Sequence, residues 1–245
     1  MRATRLLEYA ISKEPDSVLD IAVGSGKHAI GFLSNGSSVT GLDLTAATIR
    51  HPIYDHIQSP YETADIGDRQ WDMIWCCHTL EHVSNVHHFL KHLYKWLKED
   101  GYLAISVPTQ RQNRLHISHL TLWTPAHLIY NLVCAGWDCK EAEWYTGANT
   151  IGLIVRKTKE VDQTGRTGLP SEAGWFNKYT PMIINHNDAA WLPNNWHEDT
   201  SLRIEDPRSV VVGYSQSNLP PYESRPFGPN PNFRKEPGNA STKRL

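Results

Sequence analysis

The chain has 245 residues, 40% of them hydrophobic, which is enough for one α/β domain with an appendage or for two small domains. Its 24 basic and 26 acidic side chains leave a net charge of −2, which argues against a nucleic acid or an anionic membrane as partner. No apolar run is long enough to cross a bilayer, and the N-terminal segment lacks a signal-peptide core. Four cysteines without metal-finger spacing favour a reduced, cytoplasmic setting.

The first predicted elements alternate between helix and strand. Apolar residues on one face predict a helix over 4–13, and a buried strand that runs into a glycine turn follows at 18–26. A helix over 27–33 leads to a second strand that ends on Asp43. One or two helical turns are predicted within 45–50. This unit of strand, turn, helix and strand carries an acid at its far end.

The rest of the predicted domain continues the alternation, which favours an α/β fold with a doubly wound, mostly parallel sheet and helices on both faces. The remaining predicted elements are a third strand in 54–61, a fourth strand at 71–76, a helix capped by Ser84 or Asn85 and running to Lys98, a fifth strand at 102–107, a helix between the Thr124 cap and Gly136, and two final strands in 139–145 and 150–156.

The glycine turn and Asp43 predict a site for a nucleoside-like cofactor at the carboxyl ends of the strands. Gly24 and Gly26 have no Cβ, so the backbone can approach a ligand closely, and the helix that follows offers free N–H groups to an anion. Asp43 can accept hydrogen bonds from ribose hydroxyls. Because residues 24–29 also fit the dinucleotide pattern G-x-G-x-x-G/A, the glycines alone do not separate NAD from S-adenosylmethionine.

Asp20 and the segment Leu80-Glu81-His82 favour S-adenosylmethionine over NAD, and three motifs in order point to a family. Asp20-x-x-x-Gly24-x-Gly26, Asp43 and the stretch 71–82, which ends in Leu-Glu-His, resemble class I S-adenosylmethionine-dependent methyltransferases, specifically the branch whose fourth strand ends in Leu-Glu-His. Residues 97–108 (LKEDGYLAISVP) match the pattern that follows in that branch. The resemblance covers roughly residues 16 to 157 and implies a Rossmann-like seven-stranded sheet whose last strand is antiparallel.

The resemblance assigns cofactor contacts residue by residue. Asp20 suits the cationic amino group of the cofactor, and Leu44 would pack on its adenine. Either Glu62 or Asp65 would face the adenine amino group. Where the family usually has Gly-Cys or a similar small pair, this chain has Ala22-Val23, which is expected to narrow the space beside the methionine part. The implied cofactor-binding residues are Asp20, Ala22, Gly24, Ser25, Gly26, Asp43, Leu44, Glu62, Asp65 and Cys77.

Histidines after the fourth and fifth strands are the candidate catalytic groups. Methyl transfer mainly requires alignment of the acceptor, and an alcohol acceptor also needs a base, usually histidine. His119 is the first candidate for this base, followed by His82 and His78. Arg114 and His116 are predicted to contact the substrate.

Structural roles compete with these assignments. The Glu81-His82 pair fits equally well a role in holding its loop by hydrogen bonds. A metal site from His82, His116 and His119 lacks a carboxylate at a supporting spacing, so no metal is predicted. Three further histidines on one predicted helix are expected to form a solvated face: His87, His88 and His92.

Composition predicts three parts of the chain. Residues 1–157 are the expected methyltransferase domain. Residues 158–217, rich in Trp and Asn, are too apolar for a free linker and are predicted to pack irregularly on that domain or on a partner subunit. Residues 218–245, rich in Pro and Gly, predict an extended arm. The extension is therefore the expected contact surface for a homo-oligomer or an assembly.

We interpret the sequence as a methyltransferase that uses S-adenosylmethionine to methylate a small molecule or a glycan, at oxygen. Two alternatives stay open at this point. One is a non-catalytic module of the same fold that docks through its C-terminal extension. The other is a nucleic-acid methyltransferase, which the absence of a basic stripe disfavours.

Overall fold

The computed structural model describes residues 3–109, 116–146, 150–166 and 173–181. Seven strands lie in this part of the chain, and all but the third, an edge strand, contain fully buried residues. Their bounds are β1 (Ser17–Ile21), β2 (Ser38–Asp43), β3 (Tyr54–Gln58), β4 (Trp71–Cys77), β5 (Leu97–Pro108), β6 (Glu143–Thr146) and β7 (Thr150–Arg156).

The seven strands form one mixed sheet in the order β3-β2-β1-β4-β5-β7-β6. Strands β1 to β5 pair in parallel, and β7 runs antiparallel to both of its neighbours. This confirms the predicted doubly wound sheet with an antiparallel final strand. In open sheets of this kind, ligands bind beyond the carboxyl ends of the parallel strands, so Ile21, Asp43 and Cys77 mark the edge that carries the site.

Four longer helices cover both faces of the sheet: α1 (Thr4–Ile11), α2 (Lys27–Ser34), α3 (Val86–Trp96) and α4 (Pro125–Cys134). Successive side chains of a strand point to opposite faces of the sheet. The central strands are apolar on both faces, so helices are needed to cover each face. Val18 and Trp75 belong to the apolar cluster that contains α1 and α2 residues, whereas Leu19 and Ile74 belong to the cluster built with α3 and α4.

Both predicted helix caps that the structure describes are present. The side chain of Asn85 accepts a hydrogen bond from the His88 N–H, and Thr124 accepts one from the His127 N–H. Of the two residues predicted as possible N-caps of α3, Ser84 and Asn85, the cap is therefore Asn85. Such caps satisfy N–H groups that have no partner within the helix.

Strand β5 begins earlier than predicted, at Leu97 instead of Tyr102, and α3 ends at Trp96 instead of Lys98. Leu97 pairs with Trp71 of β4, and the register shifts by a bulge before Tyr102 pairs with Met73. A helical period followed by Asp-Gly predicted a simple turn. The tertiary pairing with β4 instead draws this segment into the sheet.

The helical turns predicted within 45–50 are absent. Local hydrogen bonds explain the difference, since the Asp43 carboxylate accepts from both the N–H and the hydroxyl of Thr45 at 2.8 Å. The Thr45 carbonyl lies 2.8 Å from His56 Nε2. These bonds occupy the backbone groups that would begin a helix.

Short segments follow β7. A 3-10 turn spans Gln163–Gly165, and α5 spans Ala173–Phe176. Phe176 is buried in the cluster that contains α3 and α4, and the Cys139 N–H donates to the Tyr179 carbonyl at 2.9 Å. The predicted arm, 218–245, lies outside the described residues, and the boundary at 157 stays a prediction.

Two further observations concern the described residues. All four cysteines carry free thiols. No helix among these residues is long and apolar enough to traverse a bilayer.

Candidate functional site

The glycine turn after β1 follows a left-handed backbone path. The φ angles of Ala22, Gly24 and Gly26 are 60°, 54° and 72°. Gly26 also precedes the first residue of α2 and so serves as its N-cap. A Cβ built on Gly24 would meet only the Ala22 carbonyl oxygen, at 3.9 Å, whereas one on Gly26 would lie 2.6 Å from Ile49 Cδ1. Space therefore remains open above Gly24 for a ligand.

Asp43, at the end of β2, is hydrogen-bonded to the glycine turn. Its Oδ2 accepts a hydrogen bond from the Gly24 N–H at 3.0 Å, and its Oδ1 accepts two from Thr45. Burial opposes ionisation of the carboxyl, but these donors outweigh it and hold the pKa of Asp43 below its ordinary value. Asp43 is therefore an ionised, partly exposed acceptor beside the open space at Gly24.

Asp20 lies in β1 beneath the turn and is almost fully buried. Its Oδ2 has no hydrogen-bond partner among the described residues. Burial, and then the charge of Asp43, raise the pKa of Asp20 to about 7. Burial together with the charges of Asp20 and Asp43 likewise raises the pKa of the nearby Tyr54 to about 12. The site therefore holds a carboxyl group whose charge lacks compensation by the protein.

The predicted adenine contacts lie farther along the same edge. Leu44 is 69% exposed and directly follows Asp43, so its side chain is available to cover a ligand. Asp65 accepts a hydrogen bond from the Gly67 N–H at 3.2 Å and so closes its own turn. Burial, and then the charge of Glu62, raise the pKa of Tyr61 to about 12, and the Tyr61 ring packs on Phe89 of α3. Which acid faces the adenine stays a prediction.

The segment after β4 turns sharply. His78 has a φ of 55°, and its N–H donates to the Ser106 carbonyl at 2.9 Å. Cys77 Sγ lies 3.3 Å from the Ser106 hydroxyl oxygen, and the Thr79 hydroxyl donates to the Ile21 carbonyl at 3.3 Å. These contacts hold the ends of β1, β4 and β5 together at one edge.

Glu81 lies at the centre of a histidine cluster in the 3-10 turn Leu80–His82. Its side chain is 1% exposed, and Oε1 lies 3.3 Å from His78 Nδ1 and 3.9 Å from His82 Nε2. His82 Nδ1 lies 2.9 Å from the Ser118 carbonyl oxygen. The carboxylate thus stands between two imidazoles.

The segment after β5 completes this cluster. The rings of His116 and His119 stack at 4.0 Å between centroids, and the rings of His119 and His82 meet edge to face at 5.0 Å. The Leu120 N–H donates to the Glu81 carbonyl at 2.7 Å, which ties the two segments together. Partial burial, and then the neighbouring His116, lower the pKa of His119. Its imidazole is therefore neutral at pH 7.

The histidine cluster, defined as His78, Glu81, His82, His116 and His119, brings together all four histidines that the sequence singled out as site residues. Arg114, the other predicted substrate contact, lies outside the described residues. The sequence reasoning gave Glu81 only a loop-holding role. Its signal was an acid flanked by histidines three residues before and one residue after it.

Sequence reasoning also missed a network beneath Asp43. The Tyr54 hydroxyl lies 2.8 Å from His56 Nδ1, and the other ring nitrogen of His56 contacts the Thr45 carbonyl. No motif marks this pair, because the contact depends on the parallel register between β2 and β3, in which Gly41 faces His56. The network supports the loop that carries Asp43.

A family model described as a methyltransferase domain matches residues 2–136, which is more than half of the chain. The chain belongs to this methyltransferase family. The match spans the glycine turn, Asp43 and the histidine cluster. Residues 2–136 are accordingly a methyltransferase domain of the S-adenosylmethionine-dependent class.

Relatives of this methyltransferase are distant. The ubiquinone biosynthesis O-methyltransferase of Glaesserella parasuis serovar 5 is 32% identical over 103 residues, which cover 36% of this chain and 44% of that protein. The protein of the same name from Coxiella burnetii (strain Dugway 5J108-111) is 26% identical over 141 residues, which cover 54% of this chain and 58% of that protein. The methyltransferase thus spans about half the length of the curated relatives it matches.

Among solved structures, the model resembles the 1,6-didemethyltoxoflavin-N1-methyltransferase of Burkholderia thailandensis, which was determined with 1,6-didemethyltoxoflavin and S-adenosylhomocysteine bound. The TM-score is 0.54 at 22% identity, and the match covers 64% of this chain and 78% of that chain. At this identity the likeness shows the fold alone.

The residues of this methyltransferase fit S-adenosylmethionine. The buried, uncompensated carboxyl of Asp20 matches the cationic amino group of the cofactor. The open space at Gly24 lets the cofactor lie directly against the backbone of the glycine turn. The ionised Asp43 can accept hydrogen bonds from the ribose hydroxyls of the cofactor. When bound, the cofactor supplies an electrophilic methyl group on a sulfonium.

The left-handed φ of Ala22 explains why glycine is usual at this position of the family, and it leads to a test. Left-handed backbone costs a residue with a Cβ about 1–2 kcal/mol, and glycine does not bear this cost. Ala22→Gly is therefore expected to raise the free energy of unfolding by about 1 kcal/mol, measured by chemical denaturation. Ala29→Gly, inside α2, is the matched control and is expected to lower it by about 1 kcal/mol or more. A loss of stability in Ala22→Gly would contradict this interpretation.

Proposed function

We propose that this methyltransferase transfers the methyl group to an oxygen atom of a small molecule or a glycan, and that it belongs to the Leu-Glu-His branch. The observation that carries the proposal is the histidine cluster at the carboxyl ends of β4 and β5. Its imidazoles lie at the same sheet edge as the glycine turn. The curated relatives named above are O-methyltransferases, which supports oxygen as the methylated atom.

His119 and His82 act as base or positioning group for the acceptor in this proposal. The lowered pKa of His119 suits a base at neutral pH, because the imidazole is available to accept the hydroxyl proton. His78 supports the cluster through Glu81. Methyl transfer itself needs alignment of the acceptor with the sulfonium, and the rigid turns at His78 and Ser118 favour such alignment.

Exposed apolar side chains beside the cluster favour an acceptor with an apolar part. Ile117, Leu120 and Leu122 are 86%, 63% and 59% exposed, and they flank His119 in the segment after β5. A ligand that covers these side chains would remove apolar surface from water. Arg114 and His116 are proposed to contact the polar part of the same acceptor.

The test is a methylation assay with isotopically labelled S-adenosylmethionine and a panel of phenols, alcohols, glycans and amines. We expect label on a hydroxyl-bearing acceptor, and we expect His119→Ala to lower kcat about 100-fold. Binding of S-adenosylhomocysteine should stay unchanged in this variant. His88→Ala, which removes an exposed histidine of α3, is the control and should retain full turnover.

Two outcomes would overturn the proposal. Label found only on amines would move the methylated atom to nitrogen. Unchanged kcat in both His119→Ala and His82→Ala would remove the cluster from the reaction.

A further inference from the structure

Glu81, His82 and His119 each place one potential metal ligand in the same small volume. A carboxylate oxygen and two imidazole nitrogens all lie within 4.8 Å of one another. Two different loops supply these groups, since Glu81 and His82 follow β4 and His119 follows β5. The carboxylate that the sequence spacing failed to supply for a metal site is therefore present, at the centre of the cluster.

The burial of Glu81 leaves one of its carboxylate oxygens without a partner among the described residues. Its side chain is 1% exposed, and its Oε2 has no hydrogen-bond partner among the described residues. Its Oε1 lies 3.3 Å from His78 Nδ1. A buried carboxylate with so few donors is costly unless a cation pairs with it.

The hydrogen bond of His82 decides which of its nitrogens carries the proton. Nδ1 lies 2.9 Å from the Ser118 carbonyl oxygen, and because a carbonyl can only accept, Nδ1 must donate. Nε2, the other ring nitrogen, faces Glu81 Oε1 at 3.9 Å. Nε2 is therefore the ring nitrogen of His82 that can bind a cation.

The same hydrogen bond is typical of metal-binding imidazoles. A histidine ligand commonly donates its other ring N–H to a backbone carbonyl, which holds the ring and the tautomer. Ser118, whose carbonyl receives this bond, adopts a left-handed φ of 78°. A strained residue of this kind, held at a site edge, is consistent with a functional constraint.

We propose that Glu81, His82 and His119 bind a divalent cation of the zinc type. Two imidazoles and one carboxylate suit zinc and neighbouring transition metals, whereas magnesium and calcium prefer oxygen ligands alone. In a tetrahedral zinc site with bonds of about 2.0–2.1 Å, ligand atoms are about 3.4 Å apart. The three ligand atoms lie within 4.8 Å of one another, so a bound cation would draw the two imidazoles toward Glu81 by roughly 1 Å.

Three protein ligands leave a fourth position of the cation open. The role of that position rests on the proposed function: it would receive the acceptor oxygen and favour its ionised form, as zinc does for water. With the cation bound, His119 and His82 act as positioning ligands and not as the base, and the hydroxyl proton leaves to solvent. An electron pair of the oxygen forms the new bond to the methyl carbon, and the pair of the broken C–S bond remains on sulfur, giving the methylated acceptor and S-adenosylhomocysteine.

The test measures cation binding without turnover. The full chain is stripped with a chelator, then titrated with zinc chloride by calorimetry and with cobalt(II) by visible absorption. We expect one cation per chain and cobalt bands of a tetrahedral nitrogen–oxygen site. Glu81→Gln and His119→Ala should each weaken zinc binding at least tenfold. His119 is only partly buried, so its variant keeps the test valid if Glu81→Gln fails to fold.

His88→Ala is the matched control, because His88 pairs with His92 on α3 at 4.2 Å between ring centroids and lies outside the cluster. Its zinc affinity should equal that of the unmodified chain. Equal affinity in Glu81→Gln, His119→Ala and the unmodified chain would overturn the site. Zinc binding that is lost in these variants, in a protein that methylates no hydroxyl, would support the site and overturn the proposed function alone.

Discussion

Asp43→Ala is expected to weaken binding of S-adenosylhomocysteine by about 100-fold to 10,000-fold. The carboxylate is ionised, partly exposed and held against the glycine turn by the Gly24 N–H. Hydrogen bonds from two ribose hydroxyls to a charged acceptor contribute about 1.5–3 kcal/mol each, and the variant loses both. Isothermal titration calorimetry with purified protein measures the effect directly.

Asp55→Ala is the control for Asp43→Ala. Asp55 lies on the neighbouring strand β3, is largely exposed, and pairs with Arg69 at the surface, where an ion pair contributes little. Its variant should bind S-adenosylhomocysteine as the unmodified protein does. If Asp43→Ala stays folded and binds within threefold of the unmodified protein, Asp43 does not hold the ribose.

Asp20 is expected to make the free protein less stable as the pH rises from about 4 to 7. Its pKa is raised from an ordinary value near 3.8 to about 7, so the folded state binds more protons than the unfolded state across this range. The stabilising contribution of the protonated Asp20 carboxyl is full below the pKa that Asp20 has in the unfolded state. It is lost as the pH rises through the pKa that Asp20 has in the folded state. Asp20→Asn removes this dependence on pH. The free energy of unfolding of the variant, relative to that of the unmodified protein, should therefore rise by roughly 4 kcal/mol between pH 4 and 8.

Chemical denaturation at both pH values measures this difference. Asp72→Asn is a control of opposite sign. Partial burial opposes ionisation of Asp72, but bonds from Ser17 and Lys98 outweigh it and lower its pKa. Its stabilising contribution is therefore present above the unfolded pKa and is lost as the pH falls. A pH-independent difference between Asp20→Asn and the unmodified protein would show that the buried carboxyl is compensated in the folded state.

The Asp20 prediction also bears on the cofactor. A bound ammonium group favours the charged carboxyl and so lowers the pKa of Asp20. Binding of S-adenosylhomocysteine near pH 6.5 should then release a proton, which the dependence of the calorimetric enthalpy on buffer ionisation detects. The Asp20→Asn variant should release none.

The sheet was largely predictable because its signals are local. Short, mostly apolar runs mark the buried strands β1 and β4, and Gly24 and Gly26 mark a turn that needs left-handed backbone. Asp43 follows from its place at the end of the next strand. Each of these signals lies within a few neighbouring residues, so no knowledge of the folded chain is needed to recognise it.

Other features were predicted incorrectly, or not at all, where distant residues compete with local pattern. Pairing with Trp71 draws Leu97 into the sheet, and side-chain bonds from Asp43 and His56 keep residues 45–50 out of a helix. The role of Glu81 depends on the segment that carries His119, which is almost 40 residues away in sequence. Patterns of period 2 or 3.6 contain no information about such contacts.

The amino-acid sequence by itself therefore determined the α/β class, the strand that carries Asp20, the glycine turn and the position of Asp43, because backbone sterics and hydrophobic periodicity act over short distances. Only the tertiary structure decided that Glu81 is buried between imidazoles and that His82 turns Nε2 toward it while Nδ1 contacts the Ser118 carbonyl. The reason is physical: burial and the direction of a hydrogen bond arise when the loops after β4 and β5 meet at one edge of the sheet.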